Sequence, residues 1–307
     1  MAPSVLFFLL AIVIVEIVIG LTLNTWIVVF SVKNIKNRSN QVHLTMGLVK
    51  FLIQCVMTTQ ATLWAFEPQI VLMKEIYLPI DFINLFLICC TYWLTSWLSA
   101  FYCLSIANYN HQLYVWLKRR LSAFLPHLLL LTIGGSLIVS IPAFWVISLD
   151  SEERSFKNAT LGAAQGSQTF QFNFLYLIFY LFLGCCLPIG VTLLSIILTI
   201  GSLLQHIQNM RQNNIDFDRS KFRLYFNAIK TMAIHLILSL SFYVAEMLCF
   251  TSDTITINAK TSIGFLCLLS YPTAQSVIIF QSNSKLRSVF VNIFCPNSAR
   301  ITEPISK

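Results

Sequence analysis

The chain has 307 residues, of which 57% are hydrophobic and only 10% charged, with 20 Lys and Arg against 12 Asp and Glu. Soluble proteins carry about 25% charged residues, so this composition excludes a disordered, collagen-like or disulfide-framework protein and argues against ordinary soluble domains. The net charge of +8 would suit a nucleic-acid binder only if its bases shared one exposed face; here they fall in short clusters between long apolar runs, so no nucleic-acid partner is expected.

At about 20 apolar residues per crossing, the apolar runs predict seven transmembrane helices, an all-α bundle in one domain. The first covers about residues 5 to 32. It lacks a basic leading segment and a small-residue cleavage site, so it reads as a membrane helix rather than a signal peptide. The others cover about 44 to 66, 80 to 108, 122 to 148, 173 to 204, 228 to 250 and 261 to 281, leaving a short tail over 282 to 307.

In the first run, Glu16, Gly20 and Asn24 lie four residues apart and share one stripe of a helix. A carboxylate in mid-membrane costs about 2.5 to 3.5 kcal/mol on insertion scales, which turns Glu16 toward the bundle. Asn24 suits interhelical hydrogen bonding and Gly20 close packing. Lys50 in the second run is a further candidate for this polar cluster, which would hold helices one, two and seven in register.

Orientation follows from the loops. Fifteen of the twenty basic residues, among them Lys33, Lys36, Arg38, Lys118, Arg119, Arg120, Arg211, Arg223, Lys230, Lys285 and Arg287, fall in the first, third and fifth connections and the tail. The positive-inside rule makes those faces cytoplasmic and the N-terminus extracellular. Asn158-Ala159-Thr160, in the longest outward connection, is then an N-glycosylation candidate; Asn37-Arg38-Ser39 has the same pattern on the wrong face. Trp116 and Tyr109 near the inner boundary fit interfacial anchors, and Trp93 and Trp97 fit bundle packing better than an aromatic cage. Pro188 and Pro272 are positioned to kink the fifth and seventh helices. The nine cysteines lack metal-ligand spacing, and no cofactor or metal is implied. Cys295 is a candidate palmitoylation site.

Glu246 lies near the outer end of the sixth helix, one turn past Phe242. Two roles stand open for it, an interfacial side chain that snorkels to water or an anion lining a pocket.

Motifs narrow the class. The third helix ends in Phe101-Tyr102-Cys103-Leu104-Ser105-Ile106-Ala107-Asn108-Tyr109, followed by His111-Gln112-Leu113-Tyr114-Val115-Trp116-Leu117-Lys118. Ser202-Leu203, His206 and Met210 close the fifth, Ala228-Ile229-Lys230-Thr231 opens the sixth, and Tyr271-Pro272, Ser276 and Lys285-Leu286 mark the seventh. With Glu16, Gly20, Asn24 and Ile27, this collinear set resembles the vertebrate bitter taste receptors, type 2, which are G-protein-coupled receptors. The resemblance departs at Lys50, where the family usually has Arg, and at Ser105, Tyr225 and Gln275. It departs again at Asn84, Ile88 and Cys89, where many relatives carry Trp, Asn and His.

The resemblance implies a plasma-membrane receptor that binds bitter small molecules in an outward-facing pocket and activates a gustducin-type (Gi-type) heterotrimeric G protein. It implies ligand contacts at Asn84, Ile88, Cys89, Phe242, Glu246 and Phe265, and G-protein contacts at Lys118, Arg119, His206 and Lys230. Membrane lipid is the remaining partner. A vomeronasal type 1 receptor is the alternative within the sensory class and a small transporter the alternative outside it. No Gly-x-Ser-x-Gly or His-Glu-x-x-His motif points to an enzyme.

Overall fold

A computed structural model describes residues 3–35, 38–67, 70, 73–106, 112–145, 174–212, 219–250 and 259–294. Apart from connecting turns these residues are helical. Helix α1 is Pro3–Lys33, α2 Arg38–Phe66, α3 Lys74–Ile106 and α4 Gln112–Ser140. Helix α5 runs unbroken through α-helical Phe174–Tyr180, π-helical Leu181–Cys186 and α-helical Leu187–Gln212; α6 is Arg219–Phe250, α7 Ala259–Ser282 and α8 Ser284–Phe294. Six stretches are long and apolar enough to cross a membrane: Val13–Lys33, Asn40–Leu63, Glu75–Ile106, Pro126–Trp145, Phe174–Gln205 and Tyr225–Met247. Helix α7 is not among those six within the described residues.

Neighbours in sequence are neighbours in space. Helix α1 packs on α2 and α7, α2 on α3, α5 on α6 and α6 on α7, and α3 also touches α4, α5 and α6. That position explains the composition of α3. Leu85, Ile88, Cys89, Tyr92, Leu94 and Leu98 are all buried in it, with Thr91, Thr95 and Ser99 among them. Those hydroxyls bond carbonyls four residues back, Thr91 to Leu87 and Thr95 to Thr91, each at 2.8 Å, so they enter the core already satisfied. Outside, Leu130, Leu131, Ile138, Leu175 and Ile237 present apolar side chains, the surface a lipid-facing bundle requires.

Several boundaries differ from the sequence reading. Helix α2 begins at Arg38 and α3 at Lys74, earlier than 44 and 80, because helices continue past their apolar sections and charge does not break a helix. For the same reason α4 starts at Gln112 rather than 122 and includes Lys118-Arg119-Arg120, where the Arg120 guanidinium lies 5.5 Å from the Trp116 ring. Helix α4 stops at Ser140, not 148, because Pro142 disfavours helical geometry at Ile141. Past that turn, a few bonds such as Trp145 N–H to the Pro142 carbonyl (3.1 Å) carry the chain to 145.

The segment expected to be a plain tail carries α8. Asn283 Oδ1 caps it by accepting the Leu286 amide at 3.1 Å. Leu286 is buried, Lys285 and Arg287 are exposed, and Phe290 meets Trp26 and Phe280 edge to face at 5.4 and 5.1 Å.

Candidate functional site

Glu246 sits on α6 and is only 2% exposed, so it does not snorkel. Its two oxygens face α5. The Tyr180 hydroxyl lies 3.3 Å from Oε1 and 3.2 Å from the Leu85 carbonyl of α3, one proton facing two acceptors. The Cys185 thiol donates to Oε2 at 3.7 Å. No basic side chain pairs with Glu246 among the described residues.

The π-helical turn creates this geometry. A π turn widens the helix by one residue and re-aims the side chains that follow, and the Leu187 amide bonds the Phe182 carbonyl five residues back. Pro188 comes next and brings no amide of its own, so an ordinary helical ladder is interrupted at this point. The turn places Tyr180 and Cys185, five residues apart, on the same carboxylate. Gly184 between them lets α5 approach α3: a Cβ there would stand 3.4 Å from the Cys89 Sγ.

One turn below Glu246 lies an aromatic layer. Phe242 stacks on Tyr271 of α7 with centroids 3.9 Å apart, and Tyr92 of α3 stands 5.9 Å from Phe242 and 6.3 Å from Tyr271. Polar bonds continue downward from these rings. Tyr92 Oη donates to the Ser239 carbonyl and Ser239 Oγ pairs with Tyr271 Oη, both at 3.3 Å. Gln275 Nε2 donates to Tyr271 Oη and, at 3.3 Å, to Thr95 Oγ1. Side chains of α3, α5, α6 and α7 thus form one connected layer running from the carboxylate to Gln275.

Of the six ligand candidates, the structure brings Phe242, Glu246 and Cys89 around this layer. Ile88 is buried on α3 beside Cys89. Asn84 turns to α2, donating to Gln60 Oε1 at 2.7 Å, while its own Oδ1 is buried without a partner. The side chain of Phe265 lies outside the described residues. Tyr180, Cys185, Tyr92 and Tyr271 were not singled out for this site in the sequence. A buried acid in an apolar helix needs donors, and the polar residues of the facing α5 segment were the available signal.

The polar stripe of α1 meets partners on two helices. Ser276 of α7 donates to Asn24 Oδ1. Gly20 lies against Thr273 of α7 and Gln54 of α2, and Thr273 donates to Gln54 Oε1 at 3.3 Å. Gln54, not Lys50, is therefore the α2 member of this cluster. Lys50 shares that face of α2, but helical side chains lean toward the N-terminus, and its ammonium makes no bond to Glu16 or Asn24. Glu16 is half-buried with Oε1 unpartnered, outside the bonded set. Trp93 and Trp97 stack at 5.7 Å and Trp97 Nε1 donates to Thr132 of α4 at 2.8 Å, a packing contact.

On the basic face, Lys230 is exposed on α6. The side chains of Lys118, Arg119 and His206, and all of Asn158 and Cys295, lie outside the described residues.

Comparison with known proteins is consistent along the whole chain. The taste receptor protein (TAS2R) family matches residues 1–298. The chain is similar to taste receptor type 2 member 40 of Gallus gallus, 26% identical with 93% of this chain and 94% of that protein covered. It is similar to taste receptor type 2 member 2 of Homo sapiens at 27%, covering 91% and 93%. With member 41 of Pan paniscus the identity is 34%, covering 67% of this chain and 66% of that protein. An apolar helical bundle, a buried site shared by four helices and a family match over nearly every residue converge: the chain belongs to the TAS2R taste receptor family, and is a multi-pass membrane receptor of the bitter taste, G-protein-coupled class rather than an enzyme.

Proposed function

We propose that the layer around Glu246 is the agonist site and that it selects bitter molecules bearing an amine or other cation. The observation that carries this reading is the Glu246 carboxylate, buried, held by Tyr180 and Cys185, and without a basic partner among the described residues. An unpaired buried charge is costly, and an agonist cation compensates it while the rings of Tyr92, Phe242 and Tyr271 supply the apolar and cation–π contacts that such a guest needs. Asn84, Ile88, Cys89 and Phe265 complete the proposed lining.

In this reading α7 crosses the membrane as the seventh span, the N-terminus is extracellular, and Asn158 is a glycosylated outer-loop residue. The receptor works at the plasma membrane, in contact with lipid. Agonist binding shifts an equilibrium of helix positions, and Lys118, Arg119, His206 and Lys230 contact a gustducin-type G protein on the cytoplasmic face.

The test is a calcium assay in cells carrying a gustducin-type G protein, screened with bitter compounds matched in size, with and without a basic nitrogen. Activation is expected to concentrate among the basic ones. Solute or ion flux without any G protein would contradict the reading, and agonists confined to neutral or acidic compounds would contradict the site.

A further inference from the structure

A second acid stands near the Glu246 layer. Asp81 of α3 lies four residues, about 6 Å of helix, from Leu85 toward the Lys74 end. Its Oδ2 is buried and has no hydrogen-bond partner among the described residues. Helical spacing puts Asp81 on one stripe with Leu85, Ile88 and Tyr92; those three are buried, and Tyr92 stands 5.9 Å from Phe242 of α6. The residues flanking the stripe turn elsewhere, Phe82 to Phe144 with ring centroids 4.7 Å apart and Asn84 to Gln60 of α2. Asp81 therefore lies on the face of α3 that looks into the bundle.

Contacts with α5 fix its level. The Leu85 carbonyl accepts from Tyr180 at 3.2 Å, and one turn further on Cys89 Sγ would stand 3.4 Å from a Cβ on Gly184. The two helices are thus parallel and in step, four residues for four, which sets Asp81 level with Tyr176. The Tyr176 and Tyr180 rings lie 6.3 Å apart, and Tyr180 also bonds Glu246 Oε1 at 3.3 Å. Glu246 and Asp81 accordingly follow one another along the seam between α3 and α5, about one helical turn apart. The Asp81 charge is felt at both Tyr176 and Glu246.

The donors near Asp81 are already engaged. Tyr176 Oη donates to the Val139 carbonyl at 3.3 Å, the Tyr180 proton faces Leu85 and Glu246, and Asn84 Nδ2 donates to Gln60 Oε1 at 2.7 Å. Asn84 is 7% exposed, and its Oδ1 is buried without a partner, a second acceptor three residues from Asp81. A buried acceptor left unbonded is costly. Two of them, next to an acid that lacks a cation among the described residues, call for a guest with N–H groups and positive charge.

We propose, resting on the agonist reading of the Glu246 layer, that Asp81 and Asn84 Oδ1 form a second cation subsite of the same site. The receptor then prefers agonists with two basic nitrogens, one at Glu246 and the other about a helical turn away at Asp81. An ammonium presents three donors, enough for both oxygens of the subsite. A monobasic agonist leaves Asp81 unpaired, and that difference sets the preference.

The experiment is thermal unfolding of the purified full-length receptor in detergent, at fixed ionic strength and pH 7, where alkyl amines are protonated. The probes are hexane-1,6-diamine and hexylamine. Both are expected to raise Tm saturably, with the midpoint for the diamine at least tenfold lower in the wild-type receptor. In Asp81→Asn the two midpoints should come together; Asp81→Leu, an apolar replacement, serves if that variant does not fold. Midpoints within twofold of each other in the wild type would overturn the proposal, and so would a tenfold advantage that survives loss of the Asp81 charge. The reading it rests on fails separately: a hexylamine midpoint equal in wild type and Glu246→Gln would remove Glu246 as the cation site. No rise with either amine would overturn both.

Discussion

At Gly20 the absence of a side chain is what lets three helices meet. A Cβ there would collide with Thr273 Oγ1 and stand 3.1 Å from Gln54 Oε1. Gly20→Ala is expected to lower stability by about 1–3 kcal/mol, the range of overpacked sites. Gly134 and Gly190 have open space where a Cβ would go. Alanine at either is expected to be neutral or to add up to about 1 kcal/mol through helix propensity. Thermal unfolding of the three variants in detergent checks the contrast, and equal losses would show that Gly20 is not a packing point. The sequence revealed the α1 side of this contact, because Glu16, Gly20 and Asn24 share a stripe. It could not reveal the other side: Gln54 and Lys50 share a face of α2, and only the lean of the side chains decides which of them meets α1. Glu246 shows the same limit, since a residue near a helix end reads equally as snorkelling or buried until α5 is packed beside it.

Among the elements, α5 and α8 depart most from what periodicity alone conveys. Nothing in the apolar pattern of α5 marks a π turn, yet that turn brings Cys185 and Tyr180 onto one carboxylate. Helix α8 is short, and its charges read as a tail; what makes it a helix is the Asn283 cap and the docking of Leu286 and Phe290. Asn283→Ala is expected to cost about 1 kcal/mol of local stability, as loss of an N-cap does. Amide hydrogen exchange over 284–290 should then quicken while exchange in α3 stays unchanged. Unaltered exchange at Leu286 would mean that the cap bond does not hold the helix. The long spans were legible because composition forces burial or lipid contact for about 20 residues at a time. Their ends were less so, since α2, α3 and α4 extend beyond their apolar sections.

For the whole molecule, the +8 charge separates into roles by location. Most basic residues fall at the helix ends and in segments that the proposed topology puts on the inner face, and the few charges inside the bundle do different work. Among the described residues, Glu246 is an acid with donors and no cation, and Lys50 is a buried base whose Nζ has no hydrogen-bond partner. Motifs made the family visible in the sequence, whereas the aromatic layer of Tyr92, Phe242 and Tyr271 needed three helices in place before it could be seen. In the proposed function the Glu246 carboxylate recognises a cationic agonist. Dose responses of the wild-type receptor and Glu246→Gln, each to a cationic and a neutral agonist, test it most directly, with surface expression measured in parallel. The prediction is a loss of at least tenfold in potency for the cationic agonist, about 1.4 kcal/mol of binding energy, with little change for the neutral one. Equal shifts for both agonists would contradict it.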